Sequence, residues 1–416
     1  MNGGRAFRPN PGHVLAATAF LLPVLAAVAP LAVAPLLGVV AIAALALGGY
    51  RDLNRLEPIR LLATLVILLG VVGVGSALWS VVPGHSLSVG LRFLLISAGG
   101  MVLLAVAYGI GERERDAVRR ALFWGFTLAL AALAVAGLVQ RLGMPSGTVE
   151  EIKRWTAPFN RFDRSATTMA LLLWPLMLAL MEQQRRVAAL LVLAATIPVL
   201  FSLNSRAAML CLVVGLLLWP LARLLPRLAA GAIGAGVIAL VSILPSLDLS
   251  MDVIAHIHQR MPWVQDSAIH RLAIWHFAID RINERPLLGW GLDASRALPH
   301  GSDIIVDPRI PDLEHWAAPW MPLHPHNAAL QWRLELGLPG ATLASLIVLW
   351  LLWRIGTSRA LPRFNQACTI TLTGCSLVVA FISYGFWQEW WMSELWILAA
   401  LMLAQTRTGP LSTPEP

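Results

Sequence analysis

The sequence predicts an all-α polytopic membrane protein of about twelve transmembrane helices, with a large external loop containing short amphipathic helices. Three observations predict it: the composition, the recurrence of long apolar runs, and basic residues in every second loop. Of 416 residues, 57% are hydrophobic and only 13% charged, against about half and about a quarter in soluble domains. One aqueous core cannot hide that much apolar surface, so lipid must act as solvent.

A spanning helix needs about 20 mostly apolar residues. Runs of that kind fall at 13–29, 32–49, 61–80, 90–110, 121–140, 165–182, 187–203, 207–222, 228–246, 328–353, 366–386 and 393–406. With the N-terminus in the cytoplasm, the inner loops carry Arg51/Arg55/Arg60, Arg113/Arg115/Arg119/Arg120, Arg185/Arg186, Arg223/Arg227 and Arg354/Arg359/Arg363. This is the positive-inside pattern, and it returns the C-terminus to the cytoplasm. Arg5 and Arg8 precede the first apolar run, as in a signal peptide, but the next run follows at once and the first is expected to be an uncleaved span. The organisation is therefore 1–246, nine spans with a basic outer loop at about 141–164; 247–325, a long outer loop; and 326–416, three spans and a tail.

Composition also excludes. The net charge is +8, but no basic soluble domain exists to bind nucleic acid. Cys211, Cys368 and Cys375 all lie in apolar runs without metal-ligand spacing and are expected as small buried hydrophobes. Trp387, Trp390, Trp391 and Trp396 read as an interfacial belt. Within the long loop, Ala268, Leu272, Trp275, Ile279 and Ile282 predict an amphipathic helix over 267–284, lying over the membrane. Pro286 ends it, and Gly289-Trp290-Gly291 turns the chain.

The outer loops should be poor in arginine, and they are not. The first has Arg141, Lys153, Arg154, Arg161 and Arg164; the long loop has Arg260, Arg271, Arg281, Arg285, Arg296 and Arg309. Arg206 sits in the tight turn Asn204-Ser205-Arg206 between two spans. Guanidinium groups grip phosphate oxygens in pairs, so arginines beside a bilayer point to a lipid-linked phosphate or pyrophosphate. Some will instead meet nearby acids. At the end of the long loop stands His324-Pro325-His326-Asn327. Histidine is the side chain best suited to accept a proton near neutral pH, and His326 opens the following span.

His326-Asn327, nine residues, then Gly337-Leu338-Pro339-Gly340 resembles the signature of the O-antigen ligases. Asn204-Ser205-Arg206-Ala207, His270-Arg271, Trp275 and Pro286-Leu287-Leu288-Gly289-Trp290-Gly291 resemble the family's other landmarks, in the same order. The resemblance implies transfer of O-antigen from undecaprenyl pyrophosphate to a terminal sugar of lipid A–core, at the periplasmic face of the bacterial inner membrane. It implies His326 as general base and Arg206 and Arg271 as pyrophosphate ligands, with Arg161, Arg164, Arg154 and Lys153 less securely matched. Asn327, Gly337 and Gly340 complete the motif, and His324 leaves open which histidine acts. No cofactor is implied. The acidic Asp312-Leu313-Glu314-His315 is expected to be a solvated turn and not a metal site.

The same signature occurs in O-antigen polymerases and in protein O-oligosaccharyltransferases. The latter usually carry a further C-terminal region, which is not expected after residue 416. A transporter of lipid-linked sugars would place charges in the spans near the midplane, whereas these spans are almost uncharged.

Overall fold

The computed structural model describes residues 9–143 and 162–406. Lys153, Arg154 and Arg161 lie outside the described residues. Fifteen α-helices make up the described fold: α1 (Pro11–Val28), α2 (Val33–Ala46), α3 (Arg60–Gly75), α4 (Pro83–Gly109), α5 (Glu112–Leu142), α6 (Phe162–Glu182), α7 (Arg186–Ser202), α8 (Arg206–Leu224), α9 (Pro226–Ile243), α10 (Met251–Arg260), α11 (Asp266–Glu284), α12 (Pro311–His315), α13 (Ala328–Thr357), α14 (Arg363–Ile382) and α15 (Glu389–Gln405). The only β pairing among described residues is an isolated bridge, Ile304 to Pro319.

A helix occupies each of the twelve expected segments, and nine are long and apolar enough to cross a membrane. Of the other three, α2 and α7 are shorter apolar helices. The third, α15, has 17 residues and carries Glu389 and Glu394. The protein is thus an all-α polytopic membrane protein.

Local chemistry sets several helix starts. Asn10 caps α1, accepting from the His13 amide while the His13 ring accepts from the Asn10 amide. Ser205 caps α8 by accepting from the Ala208 amide, and Asn327 caps α13 by accepting from that of Leu330. Each satisfies an amide that has no partner within its helix. The centre of the bundle is α6, 83% of whose apolar window is buried. Close packing uses small residues, as expected where lipid provides no hydrophobic drive between helices. A Cβ on Gly125 of α5 would lie 2.5 Å from the Phe20 carbonyl of α1.

Two expectations are corrected. The basic stretch 111–120 is the start of α5, not a solvated loop, and Arg115 and Arg119 are buried. Arg115 donates to the Thr406 carbonyl, and Arg119 donates to Glu112 and Asp116. The cations are held here by the C-terminal end of α15, where carbonyls lack helical partners. The loop helix α11 is present, and Ile279 and Ile282 of the expected stripe are buried, but Ala268 is exposed, Leu272 and Trp275 are half-buried, and Ile269, Ala273, Ile274, Phe277 and Ala278 complete the buried face. That face packs on Leu330 and Leu334 of α13 and on Ile254 of α10. The loop owns a core, so the interior stripe follows protein contacts and not a membrane surface.

The longest helix interruption lies in α13. Gly337 has φ 59° and ψ −150°, a region open essentially to glycine alone. Pro339 two residues later supplies no amide. The backbone groups released by the break are satisfied by the long loop. The Trp290 amide donates to Leu334 (2.9 Å), that of Gly291 to Glu335 (2.8 Å), and that of Leu338 to Leu287 (3.0 Å). Irregular backbone within a span is tolerated only under such protein cover. The approach is close on both sides. A Cβ on Gly337 would stand 2.1 Å from the Leu287 oxygen, and one on Gly289 would stand 2.6 Å from the Glu335 carbonyl. The two glycine motifs, some fifty residues apart in the chain, are halves of one lock. The strain alone predicts that Gly337→Ala costs at least about 2 kcal/mol. Thermal unfolding of matched detergent-solubilised samples would measure it, and an unchanged midpoint would contradict the lock.

Candidate active site

The turn joining α14 to α15, Ser383-Tyr384-Gly385-Phe386-Trp387-Gln388, organises the site. Its carbonyls and side chains meet His326, His324 and Asp163. The carbonyl just before it, that of Ile382, accepts from Arg271 Nη1 at 2.6 Å. The Ser383 carbonyl accepts from His326 Nδ1 at 2.6 Å. The Tyr384 hydroxyl donates to Asp163 Oδ2 at 3.3 Å, and burial pushes this hydroxyl's pKa up, so it stays a donor. Gly385 lies under the His324 ring, 2.8 Å from Cδ2 for an added Cβ.

The two histidines are in contact, with ring centroids 4.3 Å apart, yet they differ in their free atoms. A carbonyl can only accept, so His326 Nδ1 carries the proton and Nε2 keeps its lone pair. The Nδ1 lone pair of His324 instead accepts from the His326 amide at 3.1 Å. His326 itself has a left-handed backbone, φ 52°, uncommon for a non-glycine residue. His324 is buried and His326 half-buried. Burial, then the positive charges of His326, Arg296 and Arg271, push His324 down to about 3. Burial pushes His326 down to about 4, with Arg271 and His270 lowering it and the Ser383 carbonyl opposing. Both rings are neutral at physiological pH.

Arg271 projects from α11 and Arg206 from the first position of α8. Neither forms an ion pair among the described residues. Burial lowers the pKa of Arg271, Asp163 raises it, and the Arg206 charge lowers it again. Among the described residues Arg206 reaches Ser267 Oγ alone, at 3.4 Å. Arg271 thus lies within electrostatic range of both Arg206 and the half-buried His326. Asp163 fastens the surroundings by accepting from both Ser205 and Tyr384. Around this centre, the Trp275 indole donates to the Pro325 carbonyl (2.9 Å) and His270 Nε2 donates to that of Pro319 (2.9 Å). The first holds the His324–Asn327 segment against α11, and the second ties Pro319 to the same helix.

Arg164 lies on the other side of the turn. Its guanidinium stands 5.5 Å from the Trp390 ring centroid. With Arg92, Arg296, His85 and His324 it lines a cavity of about 440 Å³. There Arg92 is paired with Glu389, and Arg296 with Asp293 at 2.9 Å. Other outer arginines meet acids, as Arg309 does with Asp307 at 2.8 Å and Arg281 with Glu284 at 2.7 Å. Asn327 caps α13, Gly337 makes the kink, and an added Cβ on Gly340 would lie 2.1 Å from the Leu336 Cβ. The signature therefore contributes one residue with free reactive atoms, His326, and three that shape its span.

Sequence reading missed the turn. Trp387, Trp390 and Trp391 are 4%, 4% and 0% exposed, so they do not form a lipid-facing belt. Trp387 Nε1 donates to Glu335 at 2.6 Å, and Trp390 Nε1 to Gln388 at 2.8 Å. The N–H groups of Trp387 and Trp390 thus have polar partners in the interior, whereas Trp391 Nε1 is buried with no hydrogen-bond partner among the described residues. Asp163 and Tyr384 carried no motif, and the spacing Glu335-x3-Gln331 on α13 was the one available signal.

Residues 189–345 match the family model described as O-Antigen ligase. The chain is 26% identical over 314 residues to a protein of Rickettsia conorii provisionally named a polysaccharide ligase, covering 75% of this chain and 72% of that one. A similarly named protein of Rickettsia prowazekii is 29% identical over 245 residues, 58% of each chain. One of Rickettsia felis is 25% identical over 335 residues, covering 79% and 77%. The alignment thus spans less than two thirds of the R. prowazekii protein. Asp163 and the Ser383–Gln388 turn fall outside the matched family segment, whereas Ser205-Arg206, Arg271, His326 and Gly337 fall inside it. Residues 189–345 thus match an O-antigen ligase domain, and the chain is similar to proteins provisionally named polysaccharide ligases.

Proposed function

We propose that this protein transfers a polysaccharide, an O-antigen, from undecaprenyl pyrophosphate to a terminal sugar hydroxyl of lipid A–core. The reaction takes place at the periplasmic face of the bacterial inner membrane, with both termini in the cytoplasm. One observation carries the reading: His326 presents a free Nε2 near Arg271, which in turn lies near Arg206, and neither arginine forms an ion pair among the described residues. His326 Nε2 takes the proton of the acceptor hydroxyl, and that oxygen attacks the anomeric carbon. The bond from that carbon to the pyrophosphate oxygen breaks, and the leaving group departs with the electron pair. Arg206 and Arg271 stabilise the developing charge, and direct displacement inverts the anomeric centre. The proton then passes from the imidazolium to solvent or to the departing pyrophosphate. Lys153, Arg154, Arg161 and Arg164, which the sequence places in one outer loop, are proposed to assist in holding the donor. No nucleotide, metal or cofactor enters this scheme.

Transfer from purified lipid-linked donor to purified lipid A–core tests it. Elongation of the donor in place of acceptor capping would mean a polymerase. No transfer to either would refute the reading. The pH dependence follows from the tautomer. The neutral ring is the active form, so activity falls as pH drops through the pKa of His326. In the empty site that value is about 4, so kcat/KM is expected to stay level well below pH 6. A bound pyrophosphate favours the imidazolium and raises the pKa. The acidic limb of kcat should therefore lie at higher pH than that of kcat/KM. Coincident limbs near the ordinary histidine value would show that the base is not His326.

A further inference from the structure

We propose that Gln331 and Glu335 of α13 are positioning residues for the transfer: they fasten the Ser383–Gln388 turn from behind, so that its Ser383 carbonyl holds His326 with Nε2 free. The consequence for rate rests on the transfer reading above.

Both side chains are interior, Glu335 at 0% and Gln331 at 1% exposed, where a polar group is costly unless bonded. Theirs are fully used. Glu335 Oε1 accepts from Ser295 Oγ (2.5 Å) and Gln331 Nε2 (3.1 Å). Its Oε2 accepts from the Asp293 amide (2.8 Å) and Trp387 Nε1 (2.6 Å). The amide of Gln331 has one workable orientation, because its Oε1 accepts from the Phe386 amide at 2.8 Å while its Nε2 must face the carboxyl. The pair thus ties three separate pieces together: the long loop through Asp293 and Ser295, the turn through Phe386 and Trp387, and α13 itself.

The route from pair to base is short. Phe386 and Trp387 lie three and four residues after Ser383. On one side of the turn are the Gln331 and Glu335 bonds, and on the other is the 2.6 Å bond to His326 Nδ1. The His326 ring needs such a partner, because its left-handed backbone is not intrinsically preferred. Apolar residues at 331 and 335 would fill the same interior but would leave the turn unanchored along its backbone. The same turn accepts Arg271 through the adjoining Ile382 carbonyl. Base and anion clamp therefore share one support.

The full-length chain in lipid nanodiscs supplies the test, with lipid-linked donor and lipid A–core as substrates. Gln331→Glu sets two carboxyls against each other, and Glu335→Gln sets amide hydrogens against donors. Each should lower kcat on the order of 100-fold, as for a misplaced catalytic group, with both KM values near wild type. The double variant Gln331→Glu/Glu335→Gln again pairs one carboxyl with one amide, and should regain about tenfold over either single. Ring ¹⁵N spectra of histidine-labelled protein read the tautomer directly, with the His326 signal identified by its loss in His326→Ala. The wild-type ring should be protonated at Nδ1, and Gln331→Glu should shift it toward Nε2. An Nε2-protonated wild-type ring, near-normal kcat in both single variants, or a double variant no better than the singles would overturn the assignment. The wild-type spectrum decides even if a variant misfolds. Absence of transfer by the wild-type protein in the same assay overturns the transfer reading separately.

Discussion

His326→Ala is expected to slow transfer by about 100- to 10,000-fold, the range in which a positioned general base contributes. Of the two adjacent histidines, only His326 has its Nδ1 proton committed to a carbonyl, that of Ser383. Its Nε2 is therefore the lone pair available to an incoming hydroxyl. His324 spends its Nδ1 lone pair on the His326 amide, which makes it a support for the left-handed residue beside it. His324→Ala should accordingly cost less than about tenfold, through looser placement of His326. The measurement is in vitro transfer at matched protein, or lipopolysaccharide gel profiles at matched expression. Near wild-type transfer by His326→Ala would remove the base from the mechanism. A dead His324→Ala beside an active His326→Ala would move the role to its neighbour.

The second large effect concerns the arginines. Arg206→Ala and Arg271→Ala should each reduce kcat about 100- to 1,000-fold, as when a donor to developing negative charge is removed. Insertion and expression should be unchanged. Lysine should rescue Arg271 poorly for a structural reason. Arg271 Nη1 already donates to the Ile382 carbonyl at 2.6 Å, and the rest of the planar fork remains for phosphate oxygens. A lysine ammonium is a point charge without that fork and would have to choose between the two. Arg206 makes only one long contact, to Ser267, so Arg206→Lys should recover more than Arg271→Lys. Equal, full activity in both lysine variants would reduce their contribution to general positive charge.

Much of this protein was determined by local sequence. The apolar runs specify helices because a buried backbone in lipid must bond to itself, and a helix lies on each expected segment. Asn327 and Ser205 announce helix starts through the chemistry of their own side chains. The basic outer turn at Arg206 and the His326-Asn327 pair at the head of α13 are legible for the same reason: placement at a span's end is a local property. The resemblance to O-antigen ligases rests on those short strings and needs no contact between them.

What only the tertiary structure decided depends on residues distant in sequence. Gly337 reads only as part of the signature, and its reason is the Leu287 carbonyl that occupies the space of a side chain. Trp387 reads as a lipid-facing anchor, but Glu335 draws its indole inward. Arg115 and Arg119 read as a solvated cytoplasmic loop, but the end of α15 buries them. Periodicity placed Ile279 and Ile282 of α11 in the interior but also Ala268, which is exposed, because a loop helix faces whatever packs on it, and here that is α13 and α10. The choice between His324 and His326 is of the same kind. Two residues apart and chemically identical, they are told apart only by which lone pair a carbonyl or an amide leaves free.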